Sequence, residues 1–154
     1  MNREIKFRGY GIAEKKWMYG YGLHEVIYGY ENEETKATWL TIDTKNISMV
    51  HDESAGEYTG LKDKNGVEIY EGDIVRRPAY SEEERDYIGD IVGLYHIPEK
   101  IGEVIMYEGA WCLKFELNEK KVLNPFFEMM EFDRFDLIEV IGNIYENKNL
   151  LEEN

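Results

Sequence analysis

The residue types best suited to chemistry lie between Tyr58 and Val75, where acidic and amide side chains surround two glycines. Asp63-Lys64-Asn65-Gly66 resembles part of a calcium loop. An EF-hand loop needs further oxygen ligands at fixed positions, including a bidentate glutamate at its end. Leu61 and Gly72 stand at two of those positions. The spacing therefore predicts no metal site, and we expect Asp63 to hydrogen-bond the backbone of its own turn.

Glu71-Gly72-Asp73 offers two carboxylates that could form a general acid and base pair. A glycosidase-type pair requires a defined gap across a cleft, which a separation of two residues in the chain does not establish. Asp73 follows a turn glycine and precedes the apolar Ile74-Val75. The pattern favours a turn-capping role for Asp73 over a catalytic one.

The histidines and the single cysteine also stand apart from other reactive groups. His24, His51 and His96 form no pair with helical metal-ligand spacing. Cys112 follows Trp111 in a strand-like run, where it is either a buried small residue or an outer-face thiol. No catalytic constellation is visible, so we expect a protein that is not an enzyme and that uses no cofactor or metal.

The elements that must hold these residues are short strands separated by turns. Asn65-Gly66 is a strong hairpin signal, and Gly72-Asp73 supplies a second turn close behind it. In Gly102–Leu117, Trp111, Leu113, Phe115 and Leu117 recur at a spacing of two, as on one face of a strand. Many short strands with frequent turns predict an all-β fold.

We divide the chain into an N-terminal β-meander over residues 1–56, a small β-barrel over 57–146, and a C-terminal tail over 147–154. Residues 79–100 differ from the rest, because Glu82-Glu83-Glu84-Arg85-Asp86 is a charged run. Gly89 and Gly93 weaken a helix there. We therefore predict that this segment is an insertion formed by a short helix or a loop.

Charge and composition limit the function classes. The chain has 154 residues, with 18 basic and 32 acidic side chains and a formal net charge of −14. This balance argues against nucleic acid as a partner, since binding phosphates requires a cationic face. One cysteine excludes an intrachain disulfide, and no apolar run reaches membrane-spanning length. We therefore expect a cytoplasmic protein without a membrane partner.

Aromatic side chains are abundant in the N-terminal part, with Tyr-Gly alternation that indicates tight bends or close backbone approach. They are candidates for a subunit interface, because aromatic rings bury a large area at low entropic cost. They could alternatively stack on nucleic-acid bases, with Arg3, Lys6 and Arg8 nearby in the sequence. The candidate interface residues are Trp17, Tyr19, Tyr21, Tyr28 and Tyr30.

Three segments together resemble the YopX family of small proteins from phages and prophages of low-GC Gram-positive bacteria. They are the opening Arg3–Arg8, the central Tyr58–Val75 and the closing Glu139–Asn147. The resemblance spans nearly the whole chain and departs mainly at residues 80–100. Its signature positions are Tyr58, Thr59, Gly60, Asp63, Asn65, Gly66, Glu71, Gly72, Asp73, Gly142 and Asn143.

The resemblance implies a β-rich fold with an SH3-like or pseudo-barrel portion, self-association, and a place in the cytoplasm of a bacterial host cell. It implies no activity. Three hypotheses follow. The favoured one is a non-enzymatic interaction module that forms homo-oligomers, with a host or phage protein as a possible further partner. The alternatives are an acidic mimic of DNA that inhibits a host protein, and a small barrel that binds single-stranded nucleic acid.

Overall fold

The computed structural model describes residues 4–28, 35–85, 87–117, 120–126 and 135–152. These residues form short strands and three single-turn 3-10 helices, at Asp52–Ser54, Phe135–Leu137 and Lys148–Leu151. The strands are β1 Phe7–Tyr10, β2 Trp17–Gly20, β3 Gly22–Tyr28, β4 Thr35–Thr41, β5 Ile47–Val50, β6 Gly56–Lys62, β7 Glu68–Tyr70, β8 Asp73–Arg77, β9 Tyr80–Arg85, β10 Ile91–Ile97, β11 Lys100–Tyr107, β12 Ala110–Leu117, β13 Lys120–Pro125 and β14 Glu139–Asn143. The all-β prediction is confirmed.

The N-terminal part forms a three-stranded sheet, β3-β4-β5, beside a four-stranded sheet, β2-β1-β6-β7. The chain passes from one sheet to the other at Gly20. A Cβ atom on Gly20 would lie 2.1 Å from the Thr41 carbonyl oxygen, so only glycine fits there. The close backbone approach that the Tyr-Gly alternation predicts is therefore present at this position.

The second half forms a five-stranded sheet in the order β13-β12-β11-β8-β14. Val104 in β11 pairs with Leu113 in β12, and both are fully buried. Trp111 and Phe115 pack against the same core, as the spacing of two predicts. The side chain of Leu117 lies outside the described residues. The buried members of this core are Ile69, Val75, Val104, Leu113, Phe126 and Ile138.

The described strands form several open sheets and no closed barrel, so the SH3-like part of the prediction is not confirmed. The reason lies in the second turn. Asn65-Gly66 joins β6 to β7 in one hairpin, whereas Gly72-Asp73 leads from β7 into a different sheet. There β8 pairs with β11 and β14 rather than with β7.

Tyr80–Arg85 and Ile91–Ile97 form the two strands of a β-hairpin, where the sequence predicts a short helix or a loop. β9 pairs antiparallel with β10 in a two-stranded sheet of its own. Gly89 has a φ of +92°, a conformation that glycine adopts at no steric cost, and it lies in the turn between the strands. The glycine that weakens a helix is thus a turn residue of the hairpin.

The predicted boundary at residue 56 coincides with the start of β6, which pairs with β1 in the four-stranded sheet. Hydrogen bonding therefore joins residues on either side of that boundary, and the division into units stays a prediction. Among the described residues, no helix has the length and apolarity needed to cross a membrane.

Candidate functional site

Arg8 and Asp73 form a buried ion pair that joins the N-terminal strand β1 to strand β8. Arg8 Nη2 lies 2.7 Å from Asp73 Oδ1, and the Asp73 side chain is only 1% exposed. Asp73 Oδ2 also accepts a hydrogen bond of 2.7 Å from the Tyr70 N–H. Burial raises the pKa of Asp73, while the Arg8 guanidinium and the Tyr70 N–H oppose that rise.

Two aromatic rings lie close to the Arg8 guanidinium. Its Cζ atom lies 4.7 Å from the centre of the Trp17 ring and 5.0 Å from that of Tyr70. Arg8 Nη2 also donates to the Glu71 carbonyl oxygen at 3.3 Å. These cation–π contacts and hydrogen bonds hold the cation in place, away from solvent.

Glu68 forms an ion pair with Lys6, a second basic side chain of the opening segment. Lys6 Nζ lies 2.7 Å from Glu68 Oε1, and the Tyr70 hydroxyl donates to Glu68 Oε2 at 2.7 Å. The hydrogen bond from Lys6 lowers the pKa of Glu68. Burial raises the pKa of the Tyr70 phenol, and the Glu68 carboxylate raises it further. Arg3 lies outside the described residues.

Asp63 stabilises its own turn and also contacts the closing strand. Its Oδ1 accepts hydrogen bonds from the N–H groups of Asn65, at 2.8 Å, and Val67, at 2.9 Å. Its Oδ2 accepts one from the Val140 N–H at 3.0 Å. Gly66 has a φ of +82°, whereas Asn65 is not among the described residues with positive φ. The turn hydrogen bonds follow the sequence expectation, but the contact with Val140 does not follow from it.

The closing segment reaches the N-terminal hairpin through Glu146. Glu146 Oε2 accepts hydrogen bonds from Asn143 Nδ2 at 2.9 Å and from Trp17 Nε1 at 3.0 Å. These two hydrogen bonds lower the pKa of Glu146. Asn143 Oδ1 accepts hydrogen bonds from the N–H groups of Tyr145 and Glu146, and these bonds stabilise the turn after β14. A Cβ on Gly142 would lie 2.7 Å from Asn147 Oδ1.

The remaining signature positions support the β6–β7 hairpin. Thr59 is buried and donates to the Ile69 carbonyl oxygen at 2.8 Å. The Tyr58 ring lies 5.4 Å from the Tyr70 ring, and burial raises the pKa of its phenol. Gly60 has a φ of +87° at the irregular part of the pairing.

We call the group formed by Arg8, Trp17, Tyr70, Asp73 and Glu146 the signature cluster. It joins the opening, central and closing segments of the chain, and its polar groups contact one another instead of converging on an open pocket. The cavity beside it has a volume of about 10 Å³, which is the size of one water molecule. This arrangement suits a structural role.

Three of the predicted interface aromatics, Trp17, Tyr19 and Tyr21, have described side chains, and they differ in exposure. Trp17 is half-buried in the signature cluster and packs edge-on against Tyr10 and Tyr145. Tyr19 lies beside Tyr70, and both Tyr19 and Tyr21 are more than half exposed. The side chain of Tyr28 and all of Tyr30 lie outside the described residues.

The candidate reactive groups stay apart. Cys112 is buried, and among the described residues no group of three or more His, Cys, Asp or Glu could hold a metal ion. An open groove of about 760 Å³ runs between β11, β12 and the C-terminal 3-10 helix. Within it Lys114 pairs with Glu103 at 2.5 Å, so these charges neutralise each other.

The hairpin formed by β9 and β10, which we call the arm, is the most exposed apolar region that the structure describes. Arg77, itself fully buried, fixes its base by donating to the carbonyl oxygens of Pro78, at 3.2 Å, and Pro98, at 2.9 Å. Beyond this base, several large apolar side chains are more than half exposed. They include Tyr87, Ile91, Val92, Leu94 and Tyr95.

The arm carries apolar side chains on both faces. Leu94 pairs with Glu83 and Tyr95 pairs with Glu82, so these two consecutive residues point to opposite sides of the hairpin. Leu94 is 73% exposed and Tyr95 is 56% exposed. Sequence reasoning missed the arm, although Ile91-Val92 and the Gly89-Asp90 turn signal could have indicated a hairpin.

The described residues form an all-β fold of several open antiparallel sheets, one of which is the arm. The model of the YopX protein family matches residues 6–152, and the chain belongs to this family. A search of the curated proteins found no match. The crystal structure of protein EF1440 from Enterococcus faecalis is similar, with 24% identity, a TM-score of 0.46 and coverage of 97% of this chain and 99% of that one.

Proposed function

We propose that this YopX-family protein is a non-enzymatic interaction module that self-associates through the arm, in the cytoplasm of a bacterial host cell. The exposure of apolar side chains on both faces of the arm carries the proposal. Large exposed apolar patches mark interaction sites in soluble proteins. A two-stranded hairpin without other contacts is also only marginally stable in water.

Steric access supports the same conclusion. Arg77 holds only the base of the arm, and the described residues place no third strand beside β9 or β10. A second copy of the chain could therefore cover either face or either edge. Burying Leu94 and Val92 against that copy would stabilise both the hairpin and the assembly.

The alternative of nucleic-acid binding draws little support from the basic N-terminal strand. Arg8 is buried against Asp73, and Lys6 is held by Glu68, so neither cation is available to phosphates. Phosphate binding requires accessible positive charge. Arg8→Glu is moreover a poor test of nucleic-acid binding, because it places two carboxylates together inside the signature cluster.

The test is sedimentation velocity over a concentration series. The wild-type chain is compared with a Val92→Ser/Leu94→Ser variant. We expect the wild type to form a defined oligomer and the variant to shift towards the monomer, because two exposed apolar anchors are lost. Tyr21→Ser is the comparison variant for the N-terminal aromatics, since Tyr21 is 65% exposed and lies outside the arm.

A wild type that stays monomeric would contradict the proposal. It would direct attention to the acidic-mimic hypothesis, with Glu82, Glu83 and Glu84 as the first residues to replace. An oligomer that Tyr21→Ser disrupts and the arm variant leaves intact would move the interface to the N-terminal aromatics.

A further inference from the structure

We infer that strand β9 of one copy pairs with the outer edge of strand β13 in a second copy. This inference rests on the proposed self-association and names the surface that receives the arm. Both strands are at the edge of their sheets in the described part of the chain. Unpaired edges present rows of N–H and C=O groups that can extend a sheet into another chain.

The two edges match in length and have opposite charge. β9, Tyr80–Arg85, and β13, Lys120–Pro125, each contain six residues. β9 carries Glu82, Glu83 and Glu84, whereas β13 begins with exposed Lys120 and Lys121. Among the described residues neither lysine is within ion-pair distance of a carboxylate. On β12, Glu116 is the register partner of Lys121.

One antiparallel register places both lysines opposite glutamates. With Glu84 opposite Lys120, the next pair along the strands is Glu83 opposite Lys121. Opposite charges at directly paired positions stabilise a sheet, and like charges at those positions destabilise it. The two contacts would lie on alternate faces of the joined sheet, because successive side chains point in opposite directions.

The overall charge makes this choice of edges selective. A chain with a formal charge of −14 repels its own copies, so association is favoured where a basic surface meets an acidic one. Lysines on an edge strand ordinarily prevent edge-to-edge pairing. Here Lys120 and Lys121 would prevent β13 from pairing with another β13 but would accept the glutamates of β9.

A charge-exchange experiment tests the pairing in the full-length chain. The first variant, Lys120→Glu/Lys121→Glu, has an acidic arm and an acidic edge. The second, Glu83→Lys/Glu84→Lys, has a basic arm and a basic edge. Each alone should lose self-association by about tenfold or more in dissociation constant, because every proposed contact joins like charges. An equimolar mixture should associate again, as should the chain that carries all four changes.

Sedimentation velocity gives the masses, and circular dichroism confirms that each variant is folded. Lys15→Glu/Lys16→Glu is the matched control, because it changes the net charge by the same amount at an exposed turn outside both strands. Loss in both single-surface variants with recovery in the mixture supports the pairing. Oligomers that the first variant leaves intact, or a mixture that does not recover, would overturn it while leaving self-association through the arm standing. A monomeric wild type would overturn both proposals.

Discussion

Arg8 and Arg85 each form an ion pair with a carboxylate, but in opposite surroundings. The Arg8–Asp73 pair lies inside the signature cluster, where the Arg8 guanidinium also contacts the rings of Trp17 and Tyr70. The Arg85–Glu83 pair lies on the arm, and both of its side chains are about half exposed. Removing one partner of a buried pair leaves an uncompensated charge in a low dielectric. Exposed pairs lose little because water replaces the contact.

The two ion pairs distinguish a region that maintains the fold from a region that is available to the proposed partner. The signature cluster uses its charged and aromatic groups to hold the opening, central and closing segments together. The arm forms a two-stranded sheet of its own, and its large apolar side chains face solvent. Substitutions in the first region should therefore change stability, and substitutions in the second should change association.

Substitution in the buried Arg8–Asp73 pair should destabilise the fold most. Asp73→Ala should lower the free energy of unfolding by about 3–5 kcal/mol, because it leaves the Arg8 guanidinium buried without its carboxylate. It also removes the acceptor of the Tyr70 N–H. Urea denaturation at low protein concentration measures the change. Arg85→Ala is the control on the arm and should cost less than about 1 kcal/mol. Equal losses in the two variants would contradict the assigned roles.

Two leucines extend the comparison to apolar packing. Leu113 is fully buried in the core of the five-stranded sheet, whereas Leu94 is 73% exposed on the arm. Leu113→Ala should lower the free energy of unfolding by about 2–5 kcal/mol, because it leaves a cavity. Leu94→Ala should change it by less than about 0.5 kcal/mol under the same conditions. A large loss of monomer stability in Leu94→Ala would show that the arm is part of the core.

Local patterns in the sequence predict the elements of this fold better than their arrangement. The alternation of Trp111, Leu113 and Phe115 identifies a strand and its buried face because side-chain direction repeats every two residues. Asn65-Gly66 likewise identifies a hairpin. Neither pattern states which strands become neighbours, so the passage of the chain from one sheet to another at Gly72 was missed.

The signature cluster shows the same limit. Turn chemistry around Asp63 follows from its neighbours in the chain, since Asn65 and Val67 supply the N–H groups. The pairing of Asp73 with Arg8 depends on contacts between distant strands, which no local spacing encodes. At the arm the sequence misleads, because the consecutive glutamates of β9 are compatible with a helix. Only the turn conformation of Gly89 identifies the segment as a hairpin.

The weakest changes in stability should come from Glu68 and Glu71, which lie three residues apart at the border of the signature cluster. Burial raises the pKa of Glu71 above its ordinary value of 4.5, so the folded state favours its neutral form. The hydrogen bond from Lys6 lowers the pKa of Glu68, so the folded state favours its charged form. Charging Glu71 therefore costs stability as the pH rises past 4.5. The stability from Glu68 is present above 4.5 and is lost as the pH falls through its lowered pKa.

Glutamine substitutions at the two positions should consequently shift the pH profile of unfolding in opposite directions. At neutral pH, Glu71→Gln should give a small gain in the free energy of unfolding and Glu68→Gln a small loss. Both differences from the wild type should shrink in acid, where the wild-type carboxyl groups are also neutral. Urea denaturation between pH 3 and pH 8 measures both profiles. A lower free energy of unfolding for Glu71→Gln at neutral pH would mean that the charge of Glu71 stabilises the fold. The stabilisation would come from the hydrogen bonds that its carboxylate accepts from the backbone N–H groups of Met106 and Glu57.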